Sequence, residues 1–223
     1  MHSGSVACLA VGVDAPFTVA TPGAEPVSAR TALIPARLRH QLVAGGDRMV
    51  FCYLDPASSR AKACRAQMAR QDARGIGFDH VAEARLIRLD DPEQWLRQAA
   101  PTAPAPIDDR IREAARLLLA SPGSEVSAQM LAVRCGLSVS RFQHLFSAQT
   151  GTSFRRYRLW ARMLRAADLI SQGHDLTTIA AEAGFSSPSH ATSTFHAMFG
   201  LPPSRLLDLP LIVTRPDGHH GGS

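Results

Sequence analysis

The spacing of hydrophobic residues changes near residue 100 of this 223-residue chain. After that point apolar side chains recur every three or four positions, beginning with Ile107, Ile111 and Ala114. Before it they form short runs separated by turn-forming sequences such as Gly45-Gly46-Asp47. The spacing after residue 100 is that of an amphipathic helix, and the short runs are typical of strands. The sequence therefore predicts a β-rich N-terminal region followed by an all-helical region.

Five short runs before residue 55 predict strands of an antiparallel sheet or a small barrel. The pattern then becomes helical over Ser58–Arg70, where Ala61, Cys64 and Met68 share one face. A second amphipathic stretch covers Pro92–Gln98. The predicted strands are Val6–Val13, Phe17–Thr21, Ser28–Ile34, Gln41–Ala44 and Met49–Leu54.

In the C-terminal region, Ser121-Pro122-Gly123 ends the helix that begins near Ile107. Ser127 is placed to cap the next helix, because its hydroxyl can accept a hydrogen bond from an unpaired backbone N–H. A longer helix is predicted from Ser153 to Ile170, and at about 1.5 Å per residue it is about 27 Å long. That length can hold two helical units about one DNA turn, ~34 Å, apart. Its predicted buried side chains are Phe154, Tyr157, Met163, Ala166, Leu169 and Ile170.

Three prolines within Ala100–Pro106 mark the boundary between the two regions. Proline lacks the backbone N–H that helices and sheets need, so this segment favours a semi-rigid extended linker. We therefore expect domains at residues 1–99 and 107–208, a linker at 100–106 and a flexible Gly-rich tail at 209–223.

Two helix–turn–helix signatures follow each other in the helical region. The first spans Ser127–Phe146 and turns at Gly136, and the second spans Thr178–Phe199 and turns at Gly184. In each, a short apolar-faced helix meets a glycine that accepts the positive φ of a tight turn, and a helix with a polar outer face follows. Two such units can place two helices in successive turns of a DNA major groove. The sequence therefore predicts a sequence-specific DNA-binding protein.

The net charge of +5 and a pI near 9.6 suit a polyanionic partner, but the charge is spread evenly along the chain. For binding such a partner, the shape of the protein and the placement of its charged groups must then matter more than its total charge. The four cysteines have no metal-ligand spacing and predict reduced thiols. No apolar run reaches the ~20 residues of a membrane helix, and the N-terminus lacks a signal-peptide layout. These features favour a soluble, cytoplasmic protein with no membrane partner.

The helical region resembles the DNA-binding domain of the AraC/XylS family of bacterial transcription regulators. The resemblance covers Ile107–Leu207 and rests on an ordered set of matches at family spacing. It implies seven helices in two helix–turn–helix subdomains joined by a long central helix, with double-stranded promoter DNA as partner. The matches are Leu131-Ala132, Gly136-Leu137-Ser138, Leu145-Phe146, Thr150-Gly151, Ser153-Phe154, Tyr157, Arg162, Ala166, Ile179-Ala180, Gly184-Phe185, Ser189-His190, Phe195, Phe199-Gly200 and Pro203-Ser204.

Several positions depart from the family pattern. Ala191 stands where the family usually has a large aromatic or aliphatic residue, which predicts looser packing of the second unit. Ser193 stands where an arginine is common, and serine cannot read guanine or hold phosphate as arginine does. The second unit is therefore expected to bind DNA more weakly or by other contacts. Pro202 and Leu206 replace a usual serine and tyrosine.

The N-terminal region resembles, more faintly, the cupin-like sensor and dimerisation domain of the same family. The resemblance lies in Thr31–Pro35 and the following Leu38-Arg39-His40, and the region is shorter than the usual domain. It implies a homodimer and a small-molecule effector, and the family resemblance as a whole adds RNA polymerase as a possible partner. The predicted fold class is thus α+β: a small, shortened antiparallel β domain and an all-α double helix–turn–helix domain.

The first recognition helix is predicted over Val139–Ser147, with Phe142, Leu145 and Phe146 as its buried stripe. Gln143 can bond adenine through two hydrogen bonds, and His144 can donate or accept at a purine edge. Arg141 can take guanine or phosphate. A solvated polar face without function is the alternative. The outward candidates for DNA contact are Ser140, Arg141, Gln143, His144 and Ser147.

In the second recognition helix the hydroxyl groups can contact phosphates as readily as bases. Its candidates for DNA contact are Ser189, His190, Thr192 and Ser193. Phosphate contacts are expected from Ser138, Arg155, Arg156, Arg158 and His196. For the arginines, and for Arg162 in particular, intramolecular pairing with Asp168 or Glu182 is the alternative.

Metal-binding cupins need several ligands, and no His-x-His pair occurs in the chain. His40 is therefore expected to be a structural histidine, and we expect neither a metal site nor a cofactor. This weighs against an enzymatic function for the N-terminal sheet. A remaining alternative is an interaction module, a shortened regulator that dimerises with or competes against full-length relatives.

Overall fold

The computed structural model describes residues 1–101, 107–123, 126–200 and 212. The chain divides into two compact units, Met1–Ala105 and Pro106–Ser223. The predicted linker falls largely outside the described residues, and so do the predicted tail, Pro202, Pro203-Ser204 and Leu206. Among the helices of the described residues, none combines the length and apolar composition needed to cross a membrane.

The N-terminal unit contains two antiparallel sheets. The strands are β1 (Ala7–Gly12), β2 (Phe17–Ala20), β3 (Val27–Ala29), β4 (Thr31–Ile34), β5 (Gln41–Val43), β6 (Met49–Leu54), β7 (Met68–Gln71) and β8 (Gly77–His80). A five-stranded sheet has the order β6-β1-β4-β8-β7, and a three-stranded sheet has the order β3-β2-β5.

The strands β1 and β4 lie inside the large sheet and carry most of its buried side chains. Leu9 of β1 lies opposite Leu33 of β4, and both are fully buried. One face of the large sheet packs on helices that include α3 (Pro92–Ala99), with Trp95 in the shared core. The other face packs on a core that contains Phe17 of the small sheet. The remaining helices of this unit are α1 (Arg60–Ala66) and α2 (Glu83–Leu86).

Two expectations for this unit were wrong, and two strands were missed. The predicted strand Ser28–Ile34 is two strands in different sheets, because the chain changes sheet at Arg30, whose guanidinium donates to the Gly12 and Val13 carbonyls at 3.0 and 2.7 Å. The predicted helix Ser58–Arg70 ends at Ala66. Met68 then begins β7, which pairs with β8; neither strand was predicted.

A buried polar network secures the end of this unit. His80 is 2% exposed; its Nδ1 accepts from the Ala82 N–H at 3.0 Å and its Nε2 lies 3.0 Å from the Ala99 carbonyl oxygen, to which it donates. The Arg60 guanidinium donates to the Ala100 carbonyl at 2.8 Å. Both carbonyls that end α3 are therefore held by side chains from the sheet and from the start of α1.

Every secondary-structure element among the described residues of the C-terminal unit is a helix, as the sequence predicts. Side chains at helix starts accept backbone N–H bonds, among them Ser127, whose Oγ accepts from Met130 at 3.1 Å and so confirms the predicted cap. Any seventh helix beyond Gly200 lies outside the described residues. The helices are α4 (Asp109–Ala120), α5 (Ala128–Arg134), α6 (Val139–Thr150), α7 (Phe154–Ser171), α8 (Leu176–Glu182) and α9 (Pro188–Phe199).

The long helix α7 is shared by the two subdomains. Its 18 residues span about 27 Å at 1.5 Å per residue. Its N-terminal half buries Phe154 and Tyr157 against α6, and its C-terminal half buries Met163 and Leu169 in the core formed with α8 and α9. All six side chains predicted to be buried on this helix are buried.

Candidate nucleic-acid interface

The first helix–turn–helix consists of α5, a tight turn and α6. Gly136 in the turn has φ of 65°, in the left-handed region that favours glycine. The Leu137 N–H donates to the Ala132 carbonyl at 2.9 Å and closes the end of α5. Ser138 then caps α6, since its Oγ accepts from the Arg141 N–H at 3.3 Å. The predicted turn is thus confirmed, and α6 is three residues longer than predicted.

Aromatic packing fixes which side of α6 faces the core. Phe142 and Phe146 are fully buried, and their rings lie 5.7 and 5.8 Å from the ring of Phe154. The Phe146 ring also meets the ring of Tyr157 at 5.3 Å, edge to face. Leu145, predicted as part of the buried stripe, is only half-buried. These contacts set the rotation of α6 about its own axis.

The opposite side of α6 carries the predicted base readers. Ser140, Arg141, Gln143 and His144 are exposed, and Ser147 is half-buried. Within the described part of the chain, no hydrogen bond or ion pair engages the side chains of Arg141, Gln143 or His144. An amide, an imidazole and a guanidinium are thus presented together to solvent, and each can bond base edges in a major groove.

The second helix–turn–helix consists of α8, its turn and α9. Gly184 has φ of 79°, and the Phe185 N–H donates to the Ala180 carbonyl at 2.8 Å, so the turn repeats the geometry of the first. Asp175 caps α8, and the hydrogen bonds from Thr178 hold the pKa of its carboxyl below its usual value. Ser187 caps α9, as Ser138 caps α6.

The polar face of α9 is bonded to itself, unlike that of α6. The Ser193 hydroxyl donates to the His190 carbonyl at 3.0 Å, and the Thr194 hydroxyl donates to the same oxygen at 2.8 Å. The His190 ring has Nδ1 2.9 Å from the Ser186 Oγ and stands edge-on to Phe185 at 5.6 Å. His190 is therefore held in place, with Nε2 as its other hydrogen-bonding atom.

Sequence reasoning missed Ser186, which orients His190. The spacing of four residues between them is the available signal. The other candidates on α9 remain accessible: Ser189 and Ser193 are exposed, and Thr192 is half-buried. Ala191 is fully buried in one continuous core with Phe195. The small residue at this position therefore lies inside the core of the second unit.

The predicted phosphate-contacting residues fall into two groups. Arg155, Arg156 and His196 are exposed. Ser138 is committed to capping α6, and Arg158 is half-buried with its guanidinium 5.9 Å from the centre of the Phe154 ring.

Two other arginines of α7 are bonded within the chain, and only Arg165 has one of the expected partners. Arg165 pairs with Glu182 at 2.5 Å. The Arg162 Nε donates to the Pro122 carbonyl at 3.1 Å, a partner that the sequence did not indicate.

His40 is the structural histidine that the sequence predicts. It is 4% exposed, its Nδ1 lies 2.8 Å from the Leu38 carbonyl oxygen, and its ring packs 4.3 Å from that of His2. Burial lowers the pKa of His40 below its ordinary value. Among the described residues no three His, Cys, Asp or Glu side chains are grouped to hold a metal ion.

Comparison with known proteins finds relatives of the helical unit. Residues 131–208 match a family model described as a helix-turn-helix domain. Over 104 residues the chain is 31% identical to the HTH-type transcriptional regulator RipA of Corynebacterium glutamicum. That match covers 47% of this chain and 31% of the relative, so the chain spans about a third of the relative's length.

Solved structures of ToxT from Vibrio cholerae share the fold over nearly the whole chain. One has a TM-score of 0.57 at 12% identity and covers 93% of this chain and 90% of its own. A second has a TM-score of 0.55 at 12% identity and covers 93% and 91%. This agreement confirms the α+β fold class, with antiparallel sheets followed by a double helix–turn–helix unit. Residues 131–208 lie in the C-terminal unit, which therefore carries a helix-turn-helix domain similar to that of AraC/XylS-type transcription regulators.

Proposed function

We propose that this chain binds promoter DNA sequence-specifically through α6 and α9 and so regulates transcription in the cytoplasm. The observation that carries the proposal is the pair of capped, positive-φ turns at Gly136 and Gly184, each followed by a helix with a polar exposed face. Both helices stand on α7, whose length suits two sites in successive major-groove segments.

In this proposal the two helices have unequal roles. Gln143 and His144 of α6 are the principal base readers, with Ser140, Arg141 and Ser147 beside them. On α9, His190, Ser189, Thr192 and Ser193 make weaker base or phosphate contacts, because several of its polar groups are already bonded within the chain. Arg155, Arg156, Arg158, Ser138 and His196 supply phosphate contacts.

The test is selection of bound sequences from a random duplex library, with the purified chain at one fixed moderate salt concentration. Two short enriched blocks about one helical turn, ~10 base pairs, apart support both helices as readers. One block alone assigns the reading to a single helix. No enrichment refutes the proposal and favours the alternative of an interaction module that pairs with full-length regulators.

We extend the proposal to a small-molecule effector of the N-terminal unit. ToxT, which shares the fold, has been solved with an unsaturated fatty acid bound and with (E)-4-(8-methylnaphthalen-1-yl)but-3-enoic acid bound. An unsaturated fatty acid is therefore the first compound to test. A concentration-dependent change in both melting temperature and operator affinity supports an effector role for the fatty acid. No change in either quantity excludes fatty acids as effectors of this chain.

We also propose a homodimer through the edge strand β6. Met49–Leu54 contains no charged residue and no proline, and Phe51 is 40% exposed. An edge strand without charge or proline is a ready template for pairing with a second strand. Phe51→Lys is expected to convert dimers to monomers in sedimentation experiments. An unchanged sedimentation coefficient would move the dimer contact elsewhere.

A further inference from the structure

Arg162 connects the two helix–turn–helix subdomains. It lies near the middle of α7, and its Nε donates to the carbonyl oxygen of Pro122 at 3.1 Å. Pro122 belongs to the connection between α4 and α5, 40 residues away in the sequence and in the first subdomain. The guanidinium is partly buried, and burial together with nearby Arg158 lowers the pKa of Arg162, although it stays charged.

The turn of the second unit meets the same point. A Cβ on Gly184 would lie 3.1 Å from the Cα of Gly123 and 3.4 Å from the Arg162 Nε. The backbone of this turn therefore packs directly on the α4–α5 connection, with Arg162 beside both. The corresponding turn of the first unit differs, because a Cβ on Gly136 would meet no described atom within 4 Å.

These contacts restrain a motion that α7 alone leaves open. A helix resists bending, yet a subdomain packed on its side can rock or rotate about it unless a second attachment exists. The directional hydrogen bond from a charged guanidinium to a backbone carbonyl, next to a turn in van der Waals contact, is such an attachment. The exposed ion pair between Arg165 and Glu182 joins α7 to α8 within the second subdomain only.

We infer that Arg162 is a positioning residue that fixes the separation and rotational phase of α6 and α9 for DNA. This rests on the proposed function. Adding one base pair between two half-sites moves the second by about 3.4 Å and turns it by about 34°. A rigid pair of recognition helices must lose affinity when the spacing changes, whereas a loosely joined pair tolerates it.

The experiment measures the affinity of the full chain for the selected operator and for versions with one base pair added or removed between its blocks. For the unaltered chain we expect at least a tenfold loss for either change. For Arg162→Met we expect weaker binding to the operator itself and a penalty for altered spacing below about threefold. Equal penalties in the two proteins would overturn the inference.

Two controls separate positioning from general damage. Arg165→Met removes an arginine one turn along the same helix and is expected to keep the spacing penalty. Gly136→Ala and Gly184→Ala both place a side chain at positive φ, but only the second meets Gly123. Gly184→Ala should therefore relax the spacing requirement and Gly136→Ala should not; the reverse outcome would contradict the role of this contact.

A DNA-free measurement distinguishes failure of the inference from failure of the proposed function. Ala148 and Ala197 are exposed on α6 and α9, so cysteines introduced there can carry spin labels once the two partly exposed native cysteines are removed by Cys52→Ser and Cys135→Ser. The distance distribution between labels should be narrow in the otherwise unaltered chain and clearly broader with Arg162→Met. Equal widths would overturn the inference even if the chain binds DNA. Absence of specific DNA binding with a narrow distribution would instead refute the proposed function alone.

Discussion

Replacing Gln143 and Ser193 with alanine, one at a time, tests the unequal roles of the two recognition helices. The Gln143 amide is exposed on α6 and uncommitted among the described residues, so it can make two hydrogen bonds to an adenine. Losing such a contact costs about 1–3 kcal/mol, which is about a 5- to 140-fold weaker affinity. The Ser193 hydroxyl already donates to the His190 carbonyl at 3.0 Å. Removing it should weaken the free energy of DNA binding by no more than about 0.5 kcal/mol, which is about twofold in affinity.

The assay is fluorescence anisotropy with the selected operator at several salt concentrations. Because glutamine is uncharged, Gln143→Ala should lower specific affinity without changing the slope of log affinity against log salt. Both positions are exposed, so melting temperatures should stay close to that of the unaltered chain and separate binding from folding. Equal losses from the two substitutions, or a larger loss from Ser193→Ala, would refute the reasoning that internal bonding weakens α9 as a reader.

Three further substitutions test the structure itself. Phe146→Ala should destabilise the helical unit by about 3–5 kcal/mol in urea denaturation, because the ring is fully buried; a loss below 1 kcal/mol would contradict that packing. Ser127→Ala should cost about 1 kcal/mol by the same assay, and no loss would mean that the cap is not needed. Burial lowers the pKa of His80 in the folded chain, so the unfolded chain binds more protons below its ordinary pKa near 6.5. Stability should therefore fall as the pH drops below about 6.5, and His80→Gln should reduce that dependence; an unchanged pH dependence would contradict this reasoning.

The helical unit was predictable because its signals are local. Ser127 indicates a helix start, and Gly136 and Gly184 indicate turns. The four-residue spacing of Phe142 and Phe146 indicates the buried side of α6. Each of these depends on residues within one or two helical turns. The structure agrees with all of them.

The N-terminal sheets were less predictable because strand pairing is decided far along the chain. Nothing in the run Ser28–Ile34 marks the change of sheet at Arg30, which depends on carbonyls of residues 12 and 13. The strand β7 is mostly exposed and polar, so it reads as an extension of α1. Its identity comes only from pairing with β8.

The candidate interface was likewise predictable only where its features depend on neighbouring residues. Which residues of α6 face outward follows from helical periodicity, whereas the bonds that tie up α9 depend on particular rotamers of Ser193 and His190. The contact of Arg162 with Pro122 joins segments 40 residues apart. A single sequence holds no local sign of it.

The long helix α7 has a consequence for inheritance. Phe154 and Tyr157 complete one core, and Met163 and Leu169 complete the other. Each helix–turn–helix therefore depends on α7 for part of its hydrophobic core. A gene fragment that stopped after Gly151, or one that began after Ser171, would encode helices with an open apolar side. Such halves would be degraded or would aggregate rather than serve as single-headed binders. Substitutions can therefore change the base preference of one recognition helix at a time. Neither helix–turn–helix can be deleted, because the two fold together around α7.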